Sequence, residues 1–214
     1  SNTSADNVKI WAITNDGLVT NDYGADGNIL SGVNIPALAP GVQVYPEGVL
    51  LKTTITDENL NKMVEYKDKN GRVILKKVQA AETADGAYSG WLSTYYVYDD
   101  YGNLRFVISP KAVAKMLTDN VWNINQALAD ELCFSYEYDS RQRLIAKKVP
   151  GAGWIYMVYD KRDRMVYTQD ANMRPTNQWM ANFYDVLNRP VMTGMVTTTF
   201  QHNAIQDYVK GLNL

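Results

Sequence analysis

The pattern of hydrophobic and polar positions divides the chain near Leu51. Before that point the apolar runs are short and interrupted. Ile10-Trp11-Ala12-Ile13 and Leu18-Val19-Thr20 flank Asn15-Asp16-Gly17, and Pro36, Pro40-Gly41 and Pro46 break up the remainder of this stretch. Long regular elements do not persist through such punctuation, so residues 1–50 read as a loop-rich segment with short strands. The Asn-Asp-Gly turn reads as a hairpin or as a strand docking on the next module. From Leu51 to about residue 200 the pattern alternates in short stretches, the period of half-buried strands. One interruption has helical spacing. Pro110 opens a run with Ala112, Val113, Met116 and Leu117 on one face, and Ile124, Leu128 and Leu132 continue a second, predicting a helical insert over 110–132. Ile205, Tyr208, Val209 and Leu212 predict a closing helix over 201–214.

Within the alternating region five segments align on one aspartate. They run Glu65-Tyr66-Lys67-Asp68-Lys69-Asn70-Gly71-Arg72, Tyr96-Val97-Tyr98-Asp99-Asp100-Tyr101-Gly102-Asn103, Tyr136-Glu137-Tyr138-Asp139-Ser140-Arg141-Gln142-Arg143, Met157-Val158-Tyr159-Asp160-Lys161-Arg162-Asp163-Arg164, and Asn182-Phe183-Tyr184-Asp185-Val186-Leu187-Asn188-Arg189. Each reads as strand, turn and returning strand. The aspartate occupies the first turn position, where its carboxylate accepts from amides two residues on. Three residues later the turn needs a positive φ, supplied without strain by Gly71 and Gly102 and tolerated by Asp163 and Asn188; Gln142 is the misfit. The arginine after the turn is placed to lie along a tyrosine ring of the neighbouring strand. A single hairpin is marginal, whereas hairpins stacked edge to edge share one face. The predicted fold is therefore mainly β: tandem antiparallel hairpins in a twisted sheet, with the 110–132 insert and a C-terminal helix.

Taken together, Tyr136-Glu137-Tyr138-Asp139, Val149-Pro150-Gly151-Ala152-Gly153-Trp154, Tyr159-Asp160 and Asp170 resemble the tyrosine-aspartate (YD) repeats of Rhs-family proteins, notably large surface or secreted Rhs proteins of Bacteroides-like bacteria. The resemblance covers about Leu51 to Gly194. It implies a spiralling β-sheet that forms part of a hollow shell, a design shared with teneurins and with the cocoon subunits of insecticidal Tc toxins. It also implies a secreted or cell-surface location, neighbouring repeats of a parent chain as partners, and a C-terminal toxin as passenger. No core terminus bearing the family's self-cleaving aspartates is recognisable, so the expectation is a piece of a longer protein whose activity resides elsewhere.

Composition narrows the chemistry. Lys+Arg 21 against Asp+Glu 23 leaves a formal charge of -2, so no basic field gathers phosphates and nucleic acid is not an expected partner. No apolar run reaches the ~20 residues of a membrane span. One cysteine, Cys133, and one histidine, His202, exclude an internal disulfide and a multi-histidine metal site. Cys133 follows an apolar helical face and reads as a buried hydrophobe; His202 reads as a surface or capping residue. Phosphate loops, nucleophile elbows and C-x-x-C pairs are missing from the sequence, so no catalytic residue, cofactor or metal is expected. The Asp22-Tyr23-Gly24-Ala25-Asp26-Gly27 stretch is a poor calcium loop, lacking the ligands at positions three and twelve.

The repeat residues Asp68, Gly71, Asp99, Gly102, Asp139, Arg143, Asp160, Arg164, Asp185 and Arg189 are thus assigned to turn structure. The alternative function is recognition of a cell-surface glycan, with Trp91, Trp154 and Trp179 as sugar-stacking residues. The competing assignment for those rings is cross-strand packing.

Overall fold

A computed structural model describes residues 1–13 and 35–212. The Asn15-Asp16-Gly17 turn and the Asp22–Gly27 stretch lie outside the described residues. The described chain forms two compact units, meeting in sequence at Phe134 and Ser135. Both are mainly antiparallel β.

In the first unit β1 (Trp11–Ala12) pairs with β2 (Ala37–Leu38). A five-stranded antiparallel sheet comes next, ordered as in the chain: β3 (Leu51–Thr56), β4 (Lys62–Lys67), β5 (Val73–Gln79), β6 (Trp91–Tyr98) and β7 (Leu104–Ile108). The alternation read from the sequence becomes two faces. Val64, Tyr66, Leu75, Tyr95, Val97, Phe106 and Ile108 are buried, while Glu65, Lys67 and Lys76 stand on the opposite side as ion-paired neighbours. The buried face is covered by the N-terminal segment and by α1 (Pro110–Thr118) and α2 (Gln126–Leu132). Ser109 caps α1 by accepting from the Ala112 amide, with Pro110 at the first helical position; Asn125 caps α2 through the Leu128 amide. Ile124, expected inside the second helix, falls before that cap.

Polar side chains tie the N-terminal segment down. Asp6 accepts from the Thr3 amide, the Lys52 ammonium and the Tyr66 hydroxyl. Burial alone would raise its pKa, but these donors outweigh burial and hold the carboxyl below its usual range. Asn2 bonds Leu50 through both amide and side chain, Tyr95 accepts from the Lys9 amide, and Tyr88 donates to Asn7 O.

The second unit holds β8 (Cys133–Tyr138), β9 (Leu144–Lys148), β10 (Trp154–Tyr159), β11 (Met165–Gln169), β12 (Gln178–Tyr184) and β13 (Pro190–Thr197), again antiparallel in chain order. Its core is Ile145, Ala146, Trp154, Tyr156, Val158, Val166 and Trp179 beneath Ile205 and Val209 of α3 (His202–Gly211). The placement of His202 corrects its expected surface role. Its ring is fully buried and Nε2 bonds Met157 O, while Gln206, one turn on, bonds both the amide and the carbonyl of Tyr159. Two side chains of α3 thus satisfy backbone of β10 beyond its last pairing with β9, Tyr156 with Ala146.

β3 is the outermost strand of its sheet, with Leu51 and Ile55 more than half exposed.

The five aligned hairpins share one irregularity. In each, the register shifts at the residue before the aspartate: Tyr66/Lys67, Val97/Tyr98, Glu137/Tyr138, Val158/Tyr159 and Phe183/Tyr184. These are β-bulges, which increase local twist. Gln142 adopts φ 59°, as Gly102 does at 85°. Gln142→Gly is expected to raise stability by a few tenths to ~1 kcal/mol, and Gly102→Val to lower it by more. Thermal melts of both variants check this; a clear loss for Gln142→Gly with no effect of Gly102→Val contradicts it.

Candidate functional site

The repeat residues assemble into one recurring device. In the Asp68 turn, the aspartate amide donates to Arg72 O and the Gly71 amide donates to Asp68 O. Oδ1 accepts from the amides two and four residues on, and Oδ2 accepts from Arg72 Nε at 2.7 Å. Asp139 with Arg143, Asp160 with Arg164 and Asp185 with Arg189 repeat this set, the Nε distances lying at 2.7–2.8 Å. One carboxylate thereby closes the turn and fixes the arginine beyond it.

The arginine then reaches across to the next hairpin. Arg72 lies over Tyr98, Arg143 over Tyr159 and Arg164 over Tyr184, with 4.9–5.2 Å between guanidinium carbon and ring centroid. In each case the tyrosine occupies the register position directly opposite the arginine on the neighbouring strand. In two of the three the hydroxyl completes the clamp: Tyr159 donates to Leu144 O and Tyr184 to Met165 O, each the carbonyl just after the arginine. Arg143 also bonds Asp160 O and Asp163. These partners hold the Asp160 and Asp68 carboxyls below their usual range although burial pulls the other way.

The second copy departs from the pattern. Asn103 replaces the arginine, its amide and side chain both bonding Asp99, and the buried Arg105 approaches that carboxylate at 3.5 Å.

A sixth turn of the same chemistry joins β3 to β4 and was not read from the sequence. Asp57 accepts from the amides of Asn59 and Asn61 and from the Asn61 side chain, with Leu60 at φ 65°. It escaped because Thr56 stands for tyrosine, Leu60 for glycine and Asn61 for arginine.

Lys77 was also missed. It lies on the buried face of β5, donating to the carbonyls of Gly86 and Ala87 with its ammonium near the rings of Tyr66, Tyr88 and Trp91. Burial pushes its pKa down to about 8. A lysine at an inward register position was its only signal.

Two of the three sugar-stacking candidates require correction. Trp179 is 0% exposed and Trp154 7%, both packed in the second core, so neither offers a ring face to a sugar. Trp91 borders an open groove of about 570 Å³ with Leu60, Lys62 and Gln79. Trp91 Nε1 donates to Asp85 O, and the Gln79 side chain bonds Lys62 N, Ala81 O and Glu82 O. Cys133 is buried, and burial pushes its thiol up to about 12. Among the described residues no group of three His, Cys, Asp or Glu is placed to hold a metal, and no helix is long and apolar enough to cross a membrane.

No protein-family model matches the chain, and no curated protein matches it. Solved Tc toxin structures do. A TcdB2-TccC3 crystal structure matches with TM-score 0.50 and 18% identity, over 68% of this chain and 8% of that one. A Photorhabdus luminescens Tc holotoxin pore matches with TM-score 0.47 and 18% identity, over 73% and 8%. The likeness to the TcdB2-TccC3 structure is one of β fold alone, and this chain spans a small fraction of the chains it resembles.

Proposed function

We propose that this chain is a non-catalytic structural segment of a secreted or surface-displayed YD-repeat protein, one stretch of a β-wall that encloses a C-terminal toxin or other passenger. The observation that carries the reading is the clamp itself. The repeated aspartates close their turns, and at three of them the arginine beyond is spent on the tyrosine of the next hairpin. A wall works by exclusion: proteases need a locally extended substrate, and densely hydrogen-bonded strands offer few such segments. Burial of Trp154 and Trp179 leaves Trp91 as the one of the three candidate rings that glycan recognition could still use.

The test is limited proteolysis of the full-length parent. Enclosure predicts that the region C-terminal to the repeats survives until the wall is opened, while the same region expressed alone is digested. Equal digestion rates overturn the proposal.

A further inference from the structure

The connection between β5 and β6, residues 80–90, lies over a buried charge. Lys77 stands at an inward position of β5 and is 1% exposed. Its ammonium carries three N–H donors. The carbonyls of Gly86 and Ala87, in the connection itself, accept from it, and the rings of Tyr66, Tyr88 and Trp91 lie 5.2–5.7 Å away. What it lacks among the described residues is a carboxylate at ion-pair distance. Asp6 is engaged by Lys52 and by the Tyr66 hydroxyl, Asp85 acts only at longer range, and Lys52 works against the charge. The register partners of Lys77 are Val64 on β4 and Ser93 on β6, neither of them charged. Tyr66, Tyr88 and Tyr95 stay neutral, since burial raises each above the usual phenol range. A buried ammonium so placed costs free energy even with its hydrogen bonds made.

The segment above it is lightly held. Ala81, Glu82, Thr83, Asp85 and Gly86 are exposed. Ala80 donates to Gly90 O at the base, and Tyr88 is buried with its hydroxyl on Asn7 O. Between these points Gln79 and the Trp91 indole bond Ala81, Glu82 and Asp85 from the solvent side, where water competes. Gly90, at φ 81°, passes so near that a Cβ there would stand 2.3 Å from Thr83 O.

We propose that residues 81–87 are a strap that opens locally above Lys77, loosened by the charge it covers, and that removing the charge shuts it. The open form hydrates the ammonium and leaves Tyr88 in the core. Because Glu82, Thr83 and Ala84 form one wall of the groove beside Trp91, opening widens that groove. The direction of the pH dependence follows from the burial. Lys77 is held down to about 8 beneath the closed strap, against an ordinary value of 10.5. Between those values the open form binds the extra proton, so closing becomes more favourable as pH rises through them. Below about 8 both forms are charged and the penalty stands in full. None of this depends on enclosure of a passenger.

The test is digestion of the intact chain by an endoprotease that cuts after glutamate, read by mass spectrometry and normalised at each pH to the free 79–90 peptide. Cleavage after Glu82 reports the open population. Cleavage after Glu58, in the exposed Asp57 turn, is the internal reference. Lys77→Met, which keeps the length of the side chain and drops its charge, is expected to slow cleavage after Glu82 about tenfold at pH 7.5. Wild type is expected to slow several-fold between pH 7.5 and pH 9, and Lys77→Met not at all. Gly90→Ala, whose Cβ displaces Thr83, is expected to speed cleavage after Glu82.

Cleavage of Lys77→Met after Glu82 as fast as in wild type or faster, with Glu58 unchanged, overturns the proposal, because the ammonium is then a tie on the strap. If cleavage after Glu58 rises as well, the variant has lost its fold and the wild-type pH series decides. A wild-type rate that does not fall between pH 7.5 and pH 9 overturns the proposal by itself.

Discussion

Asp160→Ala is expected to destabilise the second unit by about 3 kcal/mol, the cost of removing one partner from a buried ion pair. Asp160 is 2% exposed, accepts from the amides of Arg162 and Arg164, and is paired with Arg164 at 2.6 Å. Its loss strands two amides and leaves Arg164, 13% exposed, without its anchor beneath Tyr184. Asp185→Ala, the same change in the exposed last turn, is expected to cost much less. The depressed carboxyl fixes the sign of the pH dependence. Asp160 contributes fully above the ordinary carboxylate value of 3.8, and the contribution is lost as pH falls through the lower folded value. Urea unfolding at pH 7 and pH 3 checks both statements; the gap between wild type and Asp160→Ala narrows in acid.

Trp179→Ala is expected to cost about 3–5 kcal/mol, the range for emptying a large aromatic from a core. Trp179 has no solvent exposure and packs with Trp154, Val166 and Val209 beneath α3. The same substitution separates the two assignments of this ring. If packing is its role, Trp179→Phe retains most of the stability and any glycan binding is unaffected by either variant. A Trp179→Ala protein as stable as wild type, with a lost glycan signal, contradicts the packing assignment. Urea unfolding followed by far-UV circular dichroism gives the stability comparison.

Much of the β architecture was legible because the turn chemistry is local. An aspartate, a positive-φ position three residues on and a flanking strand pattern suffice to locate a hairpin, even where Gln142 occupies the strained position. The helical insert was legible for a similar reason, since Pro110 and the apolar spacing of α1 act within a few residues. What escaped depends on distant partners. The pairing of β1 with β2 joins segments far apart in sequence, and nothing near Trp11 names Leu38 as its partner. His202 and Gln206 stand at helical spacing like any surface pair; only the end of the β9–β10 pairing at Tyr156 leaves Met157 and Tyr159 to need them. The tryptophans were misjudged because a tryptophan suited to packing and one suited to a sugar have the same sequence signature. The Asp57 turn escaped for the opposite reason, its chemistry being kept while its letters changed.

At three turns the repeat residues form a cross-strand clamp from one hairpin to the next. A double-mutant cycle between Arg143 and Tyr159 measures that clamp most directly, because guanidinium and ring meet at 4.9 Å across β9 and β10. Urea unfolding of Arg143→Ala, Tyr159→Ala and the double variant is expected to give a favourable coupling of about 1 kcal/mol, within the range for contacting residues. Strict additivity, with a coupling indistinguishable from zero, would contradict it.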